Sequence, residues 1–335
     1  MTTARTVPVT TEMDGDELDA MDAWQLARHH GLKRVVVESF VRFRYGDGFT
    51  NSRALALQAC LAVVPFLLAL TGLASDLDEE RPATVVAQVV DSLSPGSGDA
   101  DALASAVEGS DGSGGAVGSE EAGEVALVLG LGFALVPMTT AMAQVERGAN
   151  RIYGIRRDRK ALHKYGRAAV LTALLAVPVG AGFVMIVGGG ALGDAMAESY
   201  GWSEEAVLWW DVLRWPAGIA LLVLTIAVLL DHAPRRRQPA LSWLALGAAI
   251  AVALIGLATV GLALYVRLSG SFGDVYGPLA GVFALLLWAL LSSVSFFFGT
   301  AVCAQLEALR AGEETPALDD PGRPHARTVG EGAVD

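Results

Sequence analysis

Gln238-Pro-Ala-Leu-Ser-Trp-Leu-Ala-Leu-Gly-Ala-Ala-Ile-Ala-Val-Ala-Leu-Ile-Gly-Leu-Ala-Thr-Val-Gly-Leu-Ala-Leu-Tyr-Val266 runs from Arg237 to Arg267 without one charged side chain. About 20 apolar residues in a helix cross the ~30 Å hydrocarbon layer of a bilayer. A helix is the open element that satisfies its own backbone in lipid. This stretch therefore reads as a membrane span, and four more charge-free windows read the same way. They are Ala54–Ser75, Val125–Val145, Ala168–Gly193 and Val275–Leu306. A shorter window, Trp215–Leu230, reaches span length if its helix begins near Val207. That start places Asp211 and Arg214 at an interface beside Trp209, Trp210 and Trp215, as in an aromatic belt. The expected fold is all-α: a polytopic membrane protein with six transmembrane helices plus an N-terminal amphipathic interfacial helix. The spans fall at about 54–75, 125–145, 168–193, 207–230, 238–266 and 275–306.

Composition agrees. Of 335 residues, 53% are hydrophobic and 18% charged. Dropping Tyr and adding the 38 Gly gives about 62% apolar plus Gly, against roughly 45–50% in a soluble domain. Lys and Arg then test the topology. Of 24, only Arg81, Arg214 and Arg267 fall on one side of the six spans; all others fall on the opposite side. The positive-inside rule makes that side the cytosol, with both termini in it. The location implied is a bacterial cytoplasmic (inner) membrane, crossed several times.

The remaining segments follow. Residues 1–31 are polar and cytosolic, without the basic and apolar regions of a cleaved signal peptide. The outer loop 76–124 is acidic, carries a one-sided apolar repeat over Pro82–Leu93, and is otherwise rich in Gly, Ser and Asp. Residues 311–335 have little to bury and read as a disordered cytosolic tail. Leu32–Phe43 places Leu32, Val35, Val36, Phe40 and Phe43 on one face, with Lys33, Arg34, Glu38 and Arg42 elsewhere. It can lie on anionic lipid or cap the helix bundle, and the two are compatible.

Little in the chain points to catalysis. The net charge of −12 disfavours nucleic acid as a partner. Cys60 and Cys303 make no disulfide framework, and His29, His30, His163, His232 and His325 have no metal-ligand spacing. There is no Ser-hydrolase elbow and no phosphate loop. No cofactor and no metal are expected. Gly188–Gly190 reads as close helix packing; Gly189/Gly193 and Gly277/Gly281 have the spacing that also serves helix dimers.

Two groups of residues remain as candidates. Pro65, Pro137 and Pro178 fall near the middle of spans one to three, where proline kinks a helix. With Gln58 and Gln144 they could border a polar cavity or groove, or be harmless kinks in a tight bundle. Pro216 and Pro278 fall near span starts, where a missing N–H costs little. Arg147, Asn150, Arg151 and Tyr153, after span two, could hold a headgroup or phosphate at the inner interface. The plainer reading is topology-setting charge, with Glu146 paired to an Arg. No acid or base lies at mid-membrane in the five strong windows, which argues against a proton-driven pump of the usual type.

The chain also resembles the YihY/BrkB family of bacterial inner-membrane proteins over roughly Leu32–Leu309. The resemblance rests on the alanine-rich first span with Pro65, and on Asn150-Arg-Ile-Tyr153-Gly154 followed by a basic stretch. It continues through Arg214-Trp215-Pro216, Pro234-Arg235 with Gly247-Ala248, and Tyr276-Gly277-Pro278 leading to Trp288 and Gly299. Departures are Gln58, Ala59 and Cys60 in the first span, and Gly299-Thr300-Ala301-Val302-Cys303, which lacks the acid and amide usual there. The resemblance implies a six-helix envelope protein connected with envelope integrity, serum resistance and movement of lipids or lipid-linked glycans. A ribonuclease label attached to the family finds no supporting motif. The function expected is an integral membrane envelope protein that binds, moves or organises a lipid or lipid-linked molecule. The alternatives are a non-catalytic scaffold for an envelope assembly, or a small-solute channel or exporter. An enzyme is not expected. Partners would be membrane lipids and envelope proteins; the oligomeric state is open.

Overall fold

The computed structural model describes residues 5–12, 18–76, 119–269, 279–313 and 315–319. Two short helices lead in: α1 (Ala20–His30) and α2 (Leu32–Tyr45). Long helices follow: α3 (Gly48–Asp76), α4 (Ser119–Ile152) and α5 (Ala161–Phe183). A π turn at Val184–Gly188 joins α5 to the short α6 (Gly189–Tyr200). Then come α7 (Glu204–His232), α8 (Leu241–Ser269) and α9 (Ala280–Arg310).

Local chemistry sets these boundaries. The Asp19 carboxylate accepts from the backbone N–H of Met21 (2.8 Å) and Asp22 (2.9 Å), and Asp22 reaches back to the Asp19 N–H, a capping box that starts α1. Ser203 caps α7 by accepting from the Ala206 N–H (3.3 Å), with Glu204 and Glu205 in the first turn. The early start of α7 revises the reading of Pro216. It lies three turns inside the helix, not near its beginning, and so removes an internal hydrogen bond.

Among the described residues, four segments are long and apolar enough to cross a membrane: Ala161–Ile186, Glu204–His232, Leu241–Leu268 and Ala280–Arg310. They correspond to spans three to six of the sequence reading. The first two windows lie within α3 and α4, helices of 29 and 34 residues packed along each other. The outer-loop helix at 82–93, Tyr276, Gly277 and Pro278 lie outside the described residues. The all-α expectation is joined by one short pairing: Arg5–Thr6 runs antiparallel to Leu318–Asp319. The beginning of segment 311–335 is thus ordered, because it finds backbone partners in the N-terminal segment; 320–335 lie outside the described residues.

The core sits at one end of the bundle. Trp243, Leu244, Phe297, Ile152, Tyr153, Phe43 and Leu230 are fully buried there, where α1 and α2 cover the ends of α4, α8 and α9. Away from that end the helices show apolar side chains to the outside. Leu257, Val260 and Leu264 of α8 are exposed, and only 6% of its most apolar stretch is buried. Helices α8 and α9 cross backbone to backbone. A Cβ on Gly299 would meet the Gly247 carbonyl oxygen at 2.5 Å, and one on Gly247 would meet the Gly299 oxygen at 2.7 Å. Gly189 and Gly193 serve similar packing inside the chain, against Arg214 and Trp210, and Trp210 Nε1 donates to the Gly189 carbonyl (2.6 Å). Exposed Leu208, Trp209 and Trp215 ring the first turns of α7.

Candidate functional site

The core end is built around charges. Glu307, in the last turn of α9, is fully buried. Its carboxylate accepts from the Tyr153 hydroxyl (2.9 Å) and pairs with the Arg236 guanidinium (2.8 Å), whose carbon stands 4.6 Å from the centre of the Tyr153 ring. Arg42 of α2 is also fully buried. It donates through Nε to Gln305 Oε1 (3.0 Å) and through Nη1 to the Thr10 hydroxyl (2.5 Å) and the Ile152 carbonyl (3.4 Å). Gln305 continues to Glu38 (3.0 Å). Burial draws the Arg42 pKa down to about 10, with Glu313, Tyr153 and Glu307 opposing that fall. Burial, followed by the neighbouring Glu307 carboxylate, pushes the Tyr153 phenol well above its ordinary value. The hydroxyl is thus held as a donor to Glu307.

The N-terminal segment is laced into this network. Thr10 N–H donates to the Tyr153 carbonyl (3.1 Å), and Arg236 donates to the Thr11 carbonyl (3.2 Å). Thr11 donates to Glu313 from its N–H (3.2 Å) and its hydroxyl (2.5 Å). Gly154 makes the turn that admits the strand. Its φ is +78°, and a Cβ there would collide with the Pro8 carbonyl.

Of the four residues proposed for a headgroup, the structure turns two inward. Asn150 is fully buried and accepts the Arg235 backbone N–H (2.7 Å), and Tyr153 belongs to the Glu307 network. Neither can present itself to a headgroup. Arg147 is exposed and contacts Asp158 (3.2 Å); Arg151 is half-buried. Glu146 does pair with a neighbouring arginine, Arg159 (2.8 Å), which also donates to the Ala233 and Pro234 carbonyls (3.3 and 3.2 Å). Asp158 is partly buried, which raises its pKa, but Lys164 and Arg147 outweigh this and hold it below the ordinary 3.8.

The proline group comes together differently. Pro137 and Pro178 lie inside α4 and α5, and position 65 lies inside α3. Thr140 donates to the Pro137 carbonyl (2.9 Å), while Thr172 reaches across from α5 to the Met138 carbonyl (3.5 Å). Beside these prolines, α3, α4 and α5 enclose an open groove of about 350 Å³, bordered by Ala59, Ala62, Met138, Ala141, Leu175 and Val179. Its lining is almost wholly apolar, so the polar cavity envisaged from the sequence is replaced by a greasy one. Gln144 does not enter that lining; it donates to Asn51 across α3 and α4 (2.6 Å). Gln58 Oε1 is buried without a hydrogen-bond partner among the described residues.

The other motif residues have packing roles. Arg214 pairs with Asp211 (3.1 Å) and lies over Trp215 at 5.4 Å. Trp288 Nε1 donates to Thr259 (2.9 Å), fastening α9 to α8. Pro234 is buried in the α7–α8 turn, and Gly299 forms the helix crossing. Sequence reading missed Arg42, Gln305, Glu307, Arg236 and Thr10 as one network. The available signal was Cys303-Ala-Gln-Leu-Glu307-Ala-Leu309, a lone acid in an apolar run that ends a span. Among the described residues, no three His, Cys, Asp or Glu side chains stand together as a metal site.

Comparison with known proteins adds three findings. The chain is 22% identical over 269 residues to a ribonuclease-like protein, YfkH, of Bacillus subtilis, covering 80% of this chain and 94% of that one. It is 26% identical over 293 residues to a UPF0761 membrane protein of Chromohalobacter salexigens, covering 84% of this chain and 65% of that longer one. No solved structure matches significantly. The family model of the virulence factor BrkB matches residues 39–323, from α2 to beyond the last helix. With its apolar spans, the chain is an integral membrane protein and belongs to the BrkB virulence-factor family.

Proposed function

We propose that this protein crosses the bacterial inner membrane six times with both termini in the cytosol, and that it binds, moves or organises a lipid or lipid-linked molecule without catalysing a reaction. The groove between α3, α4 and α5 carries this reading. It is open, apolar, bordered by small residues and flanked by Pro137 and Pro178. An acyl chain needs such a lining and no hydrogen bonds from it. Outward-facing Leu32, Val36 and Phe40 of α2, beside Lys33 and Arg34, support contact of the basic end with a membrane surface. The core end is closed by buried ion pairs, which supports a lateral route over an aqueous pore along the axis.

Ala141→Trp fills the groove at its centre. Detergent-purified wild type should carry acyl lipid that survives into native mass spectrometry, and A141W should lose most of it while keeping its thermal stability. Equal lipid in a stable A141W protein would refute the reading.

A further inference from the structure

The opposite face of α5 carries a second site, walled mostly by side-chain carbons as the groove is, but bordered by basic residues. Two adjoining hollows, of about 650 and 330 Å³, share Lys160 and His163. Arg167 and Val170 line one; Arg159 and Arg235 line the other. Two of the acids nearby are already matched, Glu146 by Arg159 (2.8 Å) and Asp158 by Lys164 and Arg147 (3.3 and 3.2 Å), while Asp231 contacts His232 (3.1 Å), a ring that is charged only when protonated. Lys160, Arg167 and Arg235 are left with no carboxylate of their own among the described residues. Arg235 and Arg167 touch only carbonyls, of Asp158 (3.4 Å) and His232 (2.8 Å), and Arg167 Nε is buried without a hydrogen bond. Lys160 is also the N-cap of α5 and makes no side-chain cap, so the first N–H groups of a 23-residue helix add positive potential. Directly along that face, Val170, Leu174 and Val177 are exposed at 67%, 62% and 75%.

We propose that Lys160, His163, Arg167 and Arg235 bind a phosphate oxyanion, and that its source is the phosphodiester of an anionic glycerophospholipid in the inner leaflet. A free phosphate has the same oxygens, but it leaves the apolar strip above the cations uncovered. An acyl chain covers that strip while the headgroup meets the bases. The lipid source rests on the reading that α5 spans the membrane. The phosphate site lies on the face of α5 opposite the groove, so the two can fail separately.

The full-length protein is reconstituted into nanodiscs of equal phosphatidylglycerol and phosphatidylcholine, released, and its retained lipids are counted by native mass spectrometry. Wild type should prefer phosphatidylglycerol. K160Q/H163Q/R235Q, all at exposed or solvent-facing positions, should cut that preference about tenfold, and R267Q at the other end of the bundle should not. Arg159 is left unchanged, because it fastens the α7–α8 turn. In a second arm, inorganic phosphate is titrated onto delipidated protein. Phosphate binding lost in the triple variant, with no lipid preference in wild type, assigns the site to a soluble phosphate. Equal lipid retention and equal phosphate binding in wild type and a monodisperse triple variant overturn the site. An A141W protein that keeps the phosphatidylglycerol preference separates this site from the groove.

Discussion

Between Ala280 and Leu291, α9 leaves Val282, Phe283 and Leu287 exposed, whereas from Gly299 to Leu309 every residue is buried. The exposed part is the more apolar one. The buried part contains Thr300, Gln305 and Glu307. In water the order would be the reverse. A lipid tail is as apolar as leucine, so burying the first half of α9 against another helix gains little. Polar groups at the end of the helix have no such freedom. Each needs a partner, and together they draw α2, α9, the Tyr153 turn and the N-terminal strand into one place. Specific tertiary structure in this protein is concentrated where charges must be satisfied.

The largest effect should come from breaking the buried end. Glu307→Ala leaves Arg236 buried without its carboxylate and Tyr153 without its acceptor. A loss of about 3–5 kcal/mol is expected, seen as aggregation or a collapsed melting temperature in detergent. A protein of unchanged stability would mean that Glu307 is not paired inside. A charge in the exposed half should act through the lipid instead. Leu257→Asp costs roughly 2.5–3.5 kcal/mol of insertion if that surface faces hydrocarbon. It should lower the membrane-inserted fraction, and normal insertion would place Leu257 outside the bilayer core. Next is the helix crossing. Gly299→Val forces two backbones apart and should cost about 1–3 kcal/mol. Gly256→Val, in the exposed part of α8 where an added Cβ meets nothing within 4 Å, serves as the neutral control.

The smallest expected effect is a pH dependence at the basic end. The folded pKa of Asp158 lies below its unfolded value. Its contribution is therefore present above the ordinary carboxylate range and lost as pH falls through the depressed pKa. Asp158→Asn should flatten the acid limb of a thermal-shift profile below about pH 4. An identical limb in the variant would remove Asp158 from the acid response.

Much of this was legible beforehand. Charge-free windows located the helices because the period and length of an apolar run are local properties. The shortest window was recovered by its tryptophans, and α7 does begin three residues before Val207. The family could be recognised from short motifs in order. What could not be read was which way α2 faces. Its stripe of Leu32, Val35, Val36, Phe40 and Phe43 read as a single face, set either on lipid or on the bundle. The structure buries Val35, Ser39, Arg42 and Phe43 and turns Leu32, Val36 and Phe40 outward. An arginine on the inside pattern looks polar in sequence, and only Gln305, Thr10 and Glu313 explain its place. Asn150 and Tyr153 misled for the same reason, since a polar residue at a helix end can serve either a ligand or a distant backbone N–H.

By itself, the sequence determined that the chain is helical, apolar and segregated in charge, because hydrophobic length and loop basicity are written residue by residue. Only the tertiary structure decided that Arg42, Tyr153, Arg236 and Glu307 meet, that the groove beside Pro137 and Pro178 is greasy, and that α5 shows bases on its opposite face. Those outcomes depend on contacts between residues tens to hundreds of positions apart. A buried charge has no preference among them until a partner arrives from another helix.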